Sequence, residues 1–322
     1  LATLTDVDFS TSAAVVLITE RRWNLVRVHD GRSTPVLPGL GLDGGPEISR
    51  DGALAFSSIR DEQDIYVQRP GEQARRMMLS RLRPSRPRWS PDGRRLAFRS
   101  VDAETGIFRL FVVNTDGTGL QQLPLQANEM SPPDWSPDGR AVLAPIRNGG
   151  GWRVWSVPLA GPGRPRPLAF EGWRWIRVHR GVIYGTRDAP NASDGVWKLE
   201  SEKPPVLVGR PPEGFAPGDW TITDGKLYVF AAWNTLNRVA RGQDTGSERL
   251  ARVWVNDLDG KPMGRFAEVS RAFGDKGLAV DPRMGDLLYT HYGPPTQQIG
   301  VMTLNRVRRS SHWAAPLQPY LQ

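Results

Sequence analysis

The strongest constraint on this chain is that it repeats. Pro87-Arg-Trp-Ser-Pro-Asp-Gly-Arg-Arg-Leu-Ala-Phe98 and Pro133-Asp-Trp-Ser-Pro-Asp-Gly-Arg-Ala-Val-Leu-Ala144 match almost residue for residue at an offset of 46. With the Trp position as marker, weaker copies fall at Phe9, Ile48, Trp175, Trp220 and Val280, so successive markers lie 39, 41, 46, 40, 45 and 60 residues apart. Periods of this length belong to propellers or to helical or leucine-rich arrays, and the content of the unit decides among them.

That content is strand and turn. Short alternating or apolar runs follow the markers, as in Arg95 to Arg99, Lys226 to Phe230 and Asp286 to Thr290, and second runs follow at Arg109 to Asn114 and Arg153 to Val157. Such runs, bounded by Gly, Pro, Asp and Asn, read as strands. Ser-Pro-Asp-Gly sets a Pro where its fixed φ suits a turn and a Gly where φ is positive, which closes a tight hairpin. Asn114-Thr-Asp-Gly-Thr-Gly119 and Asn256-Asp-Leu-Asp-Gly260 close the next hairpin in their units, and a third run such as Gly119 to Leu123 completes four strands. The expected fold is all-β, a seven-bladed β-propeller of four-stranded antiparallel blades, or a six-bladed one if the degenerate first copy only completes the last blade. Residues 1–305 are expected to form this single domain and residues 306–322 a basic and aromatic tail. A propeller must seal its last blade or expose an edge strand. Leu1 to Thr5 are therefore expected to pair with the strands near Leu278 to Leu304.

The Trp-Ser-Pro-Asp-Gly unit, with its following strand, Asp-Gly hairpin and short closing strand, resembles the TolB-type, WD-repeat-like propeller repeat of bacteria. The likeness is strongest around Trp89 and Trp135 and extends in weaker copies over nearly the whole chain. The later half also resembles propellers appended to bacterial winged-helix regulators and to some kinases and peptidases. TolB itself carries an α/β domain ahead of its propeller, whereas this chain is expected to start directly in a blade, so the resemblance implies a propeller without implying TolB's role in an envelope complex.

Composition narrows the chemistry. The absence of Cys excludes disulfides, thiolate-bound zinc, iron–sulfur clusters and thiol catalysis. No nucleophile elbow, His-Glu-x-x-His motif or phosphate-binding Gly-rich loop is present. The four His (His29, His179, His291, His312) fall in different repeats or in the tail. The Trp series is read as packing between blades, and Asp51, Asp92, Asp138 and Asp224 as turn residues rather than cation ligands. Asn256 to Gly260 lacks the later Glu of a calcium loop. No catalytic, metal or cofactor residue is assigned.

Of the basic residues 37 are Arg, for a net charge of +8. Nine lie between Arg75 and Arg99 against one acid, Asp92. Arg75, Arg76, Arg81, Arg83, Arg86 and Arg88 are the first candidates for partner contact, with an acidic protein face or anionic lipid headgroups as the matching chemistry. Nucleic acid is disfavoured, because basic and aromatic residues do not interleave as in a known binding module. An inserted polar loop from about Trp233 to Leu250 adds Asn237, Arg238 and Arg241, and the tail adds Arg306, Arg308, Arg309, Trp313 and Tyr320. The first ten residues lack a signal-peptide pattern, yet the chain opens on Leu, so a signal peptide, anchor or domain is expected upstream. The expected function is a non-catalytic protein-interaction scaffold: an extracytoplasmic, periplasmic propeller or an accessory subunit of a larger, membrane-bound complex. The alternatives are a sensor propeller of a longer signalling protein, and a channel-mouth hydrolase or lyase, which requires acidic residues and His to converge there.

Overall fold

In a computed structural model the described residues are 2–9, 13–20, 23–30, 32–37, 42–59, 63–161, 163–187, 195–201, 203–209, 215–231, 250–270, 278–292 and 296–303. They divide into two compact units, residues 24–291 and residues 1–23 with 292–322.

The larger unit holds six four-stranded antiparallel blades. Blade 1 runs through Leu42–Ile48, Leu54–Ile59, Gln63–Gln68 and Arg75–Arg76, and blade 2 through Pro84–Trp89, Arg95–Val101, Phe108–Asn114 and Gln121–Ala127. The inner edge of blade 3 is interrupted, with Glu129–Met130 and Asp134–Trp135 both pairing with Ala141–Arg147, before Arg153–Pro158 and Arg166–Glu171. Blade 4 is Trp173–His179, Val182–Arg187, Val196–Leu199 and Val206–Gly209, and blade 5 is Phe215–Thr223, Lys226–Ala231, Leu250–Asp257 and Pro262–Ser270. Blade 6 is composite: Leu278–Val280 and Leu287–Tyr292 come from late in the chain, and Trp23–His29 and Arg32–Pro35 from its beginning.

Each interface between blades carries its own apolar core. Ala55 and Ile65 of blade 1 pack with Trp89 and Phe98 of blade 2, and Leu110 and Val112 of blade 2 with Trp135 and Val142 of blade 3. Leu143 and Val154 meet Trp173 and Ile176 between blades 3 and 4, and Tyr184 and Val208 meet Trp220 and Val229 between blades 4 and 5. Phe230 and Val253 pack against Val26 and Tyr289 across blades 5 and 6. Leu25 and Leu288 of blade 6 close the ring on Leu54 and Phe56 of blade 1. Strands whose two faces both meet neighbouring blades need apolar residues on both, which is why Leu96, Ala97 and Phe98 are consecutive and all buried.

The architecture is thus the six-bladed alternative rather than the seven-bladed one. Phe9, the first marker, ends the strand Ala2–Phe9, which belongs to the smaller unit: a three-stranded antiparallel sheet with Ala13–Glu20 in the middle and Thr296–Thr303 on its other side. This also corrects the expected closure. Ala2, Thr3 and Leu4 pair with Glu20, Thr19 and Ile18, not with the strands after Leu278. The seal is made by Trp23–His29 instead, a strand that buries Leu25 completely.

Candidate functional site

The inner strands end at a cavity of about 1160 Å³ in the channel mouth, lined by all six blades. The hairpins of blades 1, 2 and 3 that ring it share one design. Gly93 and Gly139 stand at φ 68° and 67°, and their amides donate to the carbonyls of Ser90 and Ser136 at 2.9 Å. The Ser90 and Ser136 hydroxyls donate to Asp92 and Asp138 at 2.5 and 2.7 Å, and each carboxylate also accepts an amide two residues on. These bonds, the hydroxyl first, hold both carboxyls below the ordinary range. Ser49 and Asp51 repeat the pattern. The Asp257 carboxylate accepts the amides of Asp259 and Lys261 at 3.1 and 2.7 Å. Asp51, Asp92, Asp138 and Asp257 are thus occupied by backbone or hydroxyl donors, as turn residues should be, whereas Asp224 is exposed and is itself the positive-φ residue of its turn.

Below the mouth lies a charged floor drawn from four blades. Glu47 of blade 1 accepts from Arg88 of blade 2 at 2.9 Å and from Arg177 of blade 4 at 2.6 Å. Asp134 of blade 3 accepts the amides of Trp135 at 2.7 Å and Val178 at 2.9 Å. Two indole N–H groups tie blade to blade: Trp89 donates to the Glu47 carbonyl at 3.2 Å and Trp135 to the Arg88 carbonyl at 3.0 Å. Burial, reinforced by the neighbouring Arg177, lowers the Arg88 guanidinium to about 10. Burial likewise pushes the Asp134 carboxyl up to about 6, against the pull of Arg177 and Arg88. His179 also lines the cavity; its Nε2 is buried without a hydrogen-bond partner, and burial lowers its pKa. Acidic residues and a His therefore do converge at the channel mouth. Among the described residues no three His, Asp or Glu are placed to hold a metal ion.

The arginines singled out in the sequence have separate locations. Arg75 is exposed at the outer edge of blade 1 and donates to the Thr115 carbonyl of blade 2 at 2.8 Å. Arg76 pairs at 2.8 Å with Asp64, a fully buried carboxylate that also accepts the amides of Ile65 and Leu79. Arg81 and Arg83 are exposed in the link to blade 2, and the Arg86 amide donates to the Ser57 hydroxyl at 3.0 Å. Arg88 is in the channel floor. Asn237, Arg238, Arg241, Arg306, Arg308, Arg309, Trp313 and Tyr320 lie outside the described residues. The floor itself escaped sequence reasoning, because its members are spread from Glu47 to Arg177 and none carries a motif. Its one available signal was position: Glu47, Arg88 and Asp134 each immediately precede a repeat marker.

No family model and no curated protein matches the chain. Solved structures do. A TolB candidate from Agrobacterium tumefaciens superposes with a TM-score of 0.58 at 15% identity, over 85% of this chain and 99% of that one. TolB from Acinetobacter baumannii gives 0.57 at 13% identity, over 86% of this chain and 66% of that one, so this chain spans about two thirds of its length. A gluconolactonase candidate gives 0.51 at 13% identity, over 87% and 94%. The likeness is one of fold. At these identities it establishes the propeller, and a fold shared by TolB structures and a lactonase candidate does not choose a chemistry.

Proposed function

We propose that this chain is a non-catalytic protein-interaction scaffold, an extracytoplasmic propeller or accessory subunit of a membrane-bound complex, and that its partner docks on the channel mouth. The observation that carries this reading is the contrast between rim and floor. Arg50, Asp92, Arg94, Arg180 and Asp224 are exposed on the turns around the cavity, so charges of both signs face outward from several blades. Beneath them, Glu47 is spent on two guanidinium groups and Asp134 on two amides. A rim of exposed charges on a rigid scaffold suits specific docking, where complementary charge sets register and encounter rate. The extracytoplasmic setting rests on the resemblance of the Ser-Pro-Asp-Gly repeats to the TolB type.

A channel-mouth hydrolase or lyase is the second reading, favoured by Glu47, Asp134 and His179 lining one cavity. It ranks second because a nucleophile needs a base within hydrogen-bond reach, and Nε2 of His179 has no such partner.

Crosslinking and co-purification from the native extract test the proposal. A stable partner is expected with the wild-type chain and with Arg166→Glu, an exposed change on the outer strand of blade 3. It is expected to be lost with Arg94→Glu/Arg180→Glu. A monomer without a partner, or equal recovery with both variants, contradicts the scaffold reading.

A further inference from the structure

A second cavity, of about 700 Å³, opens where blade 6 meets blade 1. Its wall is basic. Arg27, His29 and Arg32 come from the hairpin that seals the ring, Arg69 and Gly71 from the turn after Gln63–Gln68, and Arg283 from the turn before Leu287. Two carboxylates lie beneath these groups. Asp286, with its side chain only 6% exposed, accepts from Arg27 at 3.1 Å and is bonded to Nδ1 of His29 at 2.5 Å. Asp281, fully buried, lies 3.8 Å from Arg27 and 3.4 Å from Arg283.

The carboxylates are buried and the cations they hold are open, with Arg27, His29 and Arg283 exposed by 28%, 50% and 42%. Arg32 and Arg69 are both exposed along this wall. The exposed Asp30 lies 3.5 Å from Nε2 of His29, and the charge of Arg69 is felt by Asp51 on the channel side. Four Arg face Asp281, Asp286 and Asp30, so the arginines leave the wall one net positive charge, and a protonated His29 adds a second. Gly52 completes the cradle: a Cβ there would stand 1.7 Å from Nη2 of Arg283, so the guanidinium lies directly on the backbone of blade 1.

We infer that this groove binds a compact dianion of the phosphate monoester class. Guanidinium forks matched to phosphate oxygens and anchored from behind are the arrangement that such recognition requires. The net positive charge of the arginines together with a protonated His29 suits a dianion, and the volume, within the range of small-molecule sites, leaves room for an organic body beside the phosphate.

Calorimetric titration of the full chain with glucose 6-phosphate, inorganic phosphate and malonate tests this. Saturable binding of the monoester is expected, tighter than that of either small anion. Removing a guanidinium in Arg32→Ala or Arg69→Ala is expected to weaken it by about tenfold each. Arg166→Ala, outside the groove, is expected to bind as wild type. Both groove side chains are exposed, so unchanged melting curves are expected and will verify that the variants fold. No saturable binding, preference for malonate, tighter binding of free phosphate, or equal binding by groove and control variants each overturns the assignment. Arg69 also lines the channel mouth, whereas Arg32 lines the groove alone, so the result with Arg32→Ala is independent of the scaffold proposal.

Discussion

Arginine is the residue through which this chain solves most of its local problems. Arg95 lies 5.1 Å from the Trp135 ring centroid and donates to the Gly139 carbonyl, so one side chain joins blade 2 to the core and the turn of blade 3. Arg187 stands over both Trp173 and Trp197, at 4.7 and 5.5 Å. A planar cation can stack on a ring and still donate from its edge, which an ammonium cannot do. Part of the basic excess is therefore fastening between rings and strands rather than a docking face. The channel floor is the most demanding case. Glu47→Ala is expected to strand the buried Arg88 and cost about 3–5 kcal/mol in urea unfolding, as breaking one side of a buried pair does. Glu47→Gln, which keeps an acceptor, is expected to cost less, and a variant with wild-type stability would show that the pair holds nothing together. Asp134 supplies a pH signature. With its carboxyl raised to about 6 in the folded chain against about 4 when unfolded, the folded state binds more protons between those values. Its contribution therefore favours folding most at acid pH and is lost as pH rises through about 6. Asp134→Asn removes that penalty, so the melting temperature of the variant relative to wild type is expected to climb between about pH 4.5 and 7.5. A constant difference would contradict the assignment. The turn carboxyls, lowered rather than raised, titrate below this window.

At the scale of elements, the hairpins were legible and the register was only partly so. Ser-Pro-Asp-Gly is a local instruction, and the strands at Arg95–Val101, Lys226–Ala231 and Arg153–Pro158 stand where the runs of sequence placed them. Blades 4 and 5 replace that four-residue turn by two residues of positive φ, Arg180-Gly181 at 48° and 82° and Asp224-Gly225 at 49° and 71°. Such a turn matches the twist of its strands without a capping side chain. Val178 and Ile222 consequently stand at the mouth where Trp89 and Trp135 stand in their blades, and Trp175 and Trp220 lie farther from the mouth along the inner strand. Aligning on Trp shifted the repeat by two or three residues there. The first copy misled for a simpler reason. The apolar run Ala13 to Ile18 reports a strand, and nothing in such a run distinguishes a blade strand from one in a separate three-stranded sheet. The charged floor and the blade 6 groove were illegible, since each is assembled from segments more than a hundred residues apart.

At the scale of the whole molecule, everything depends on closure. The five continuous blades follow one another in chain order, each packed against the one before. Blade 6 alone unites residues separated by about the full length of the propeller, with Arg27 and Asp286 paired across it. Both the channel mouth and the basic groove exist only if that ring is shut, because Arg69 of blade 1 lines both cavities and Arg283 and Pro282 reach them from the far end of the chain. Closing so long a loop costs entropy, and the apolar contacts of Leu25, Leu54, Phe56 and Leu288 oppose that cost. Hydrogen exchange resolved along the full chain tests the closure most directly, because protection reports the free energy of local opening. The amides of Asn24 to Val28 and of Leu287 to Tyr289 are expected to exchange as slowly as those of Leu96 to Phe98 in blade 2, and to lose protection in the same denaturant transition. Rapid exchange of Asn24 to Val28 while blade 2 stays protected would mean that the ring is open, and would contradict the account.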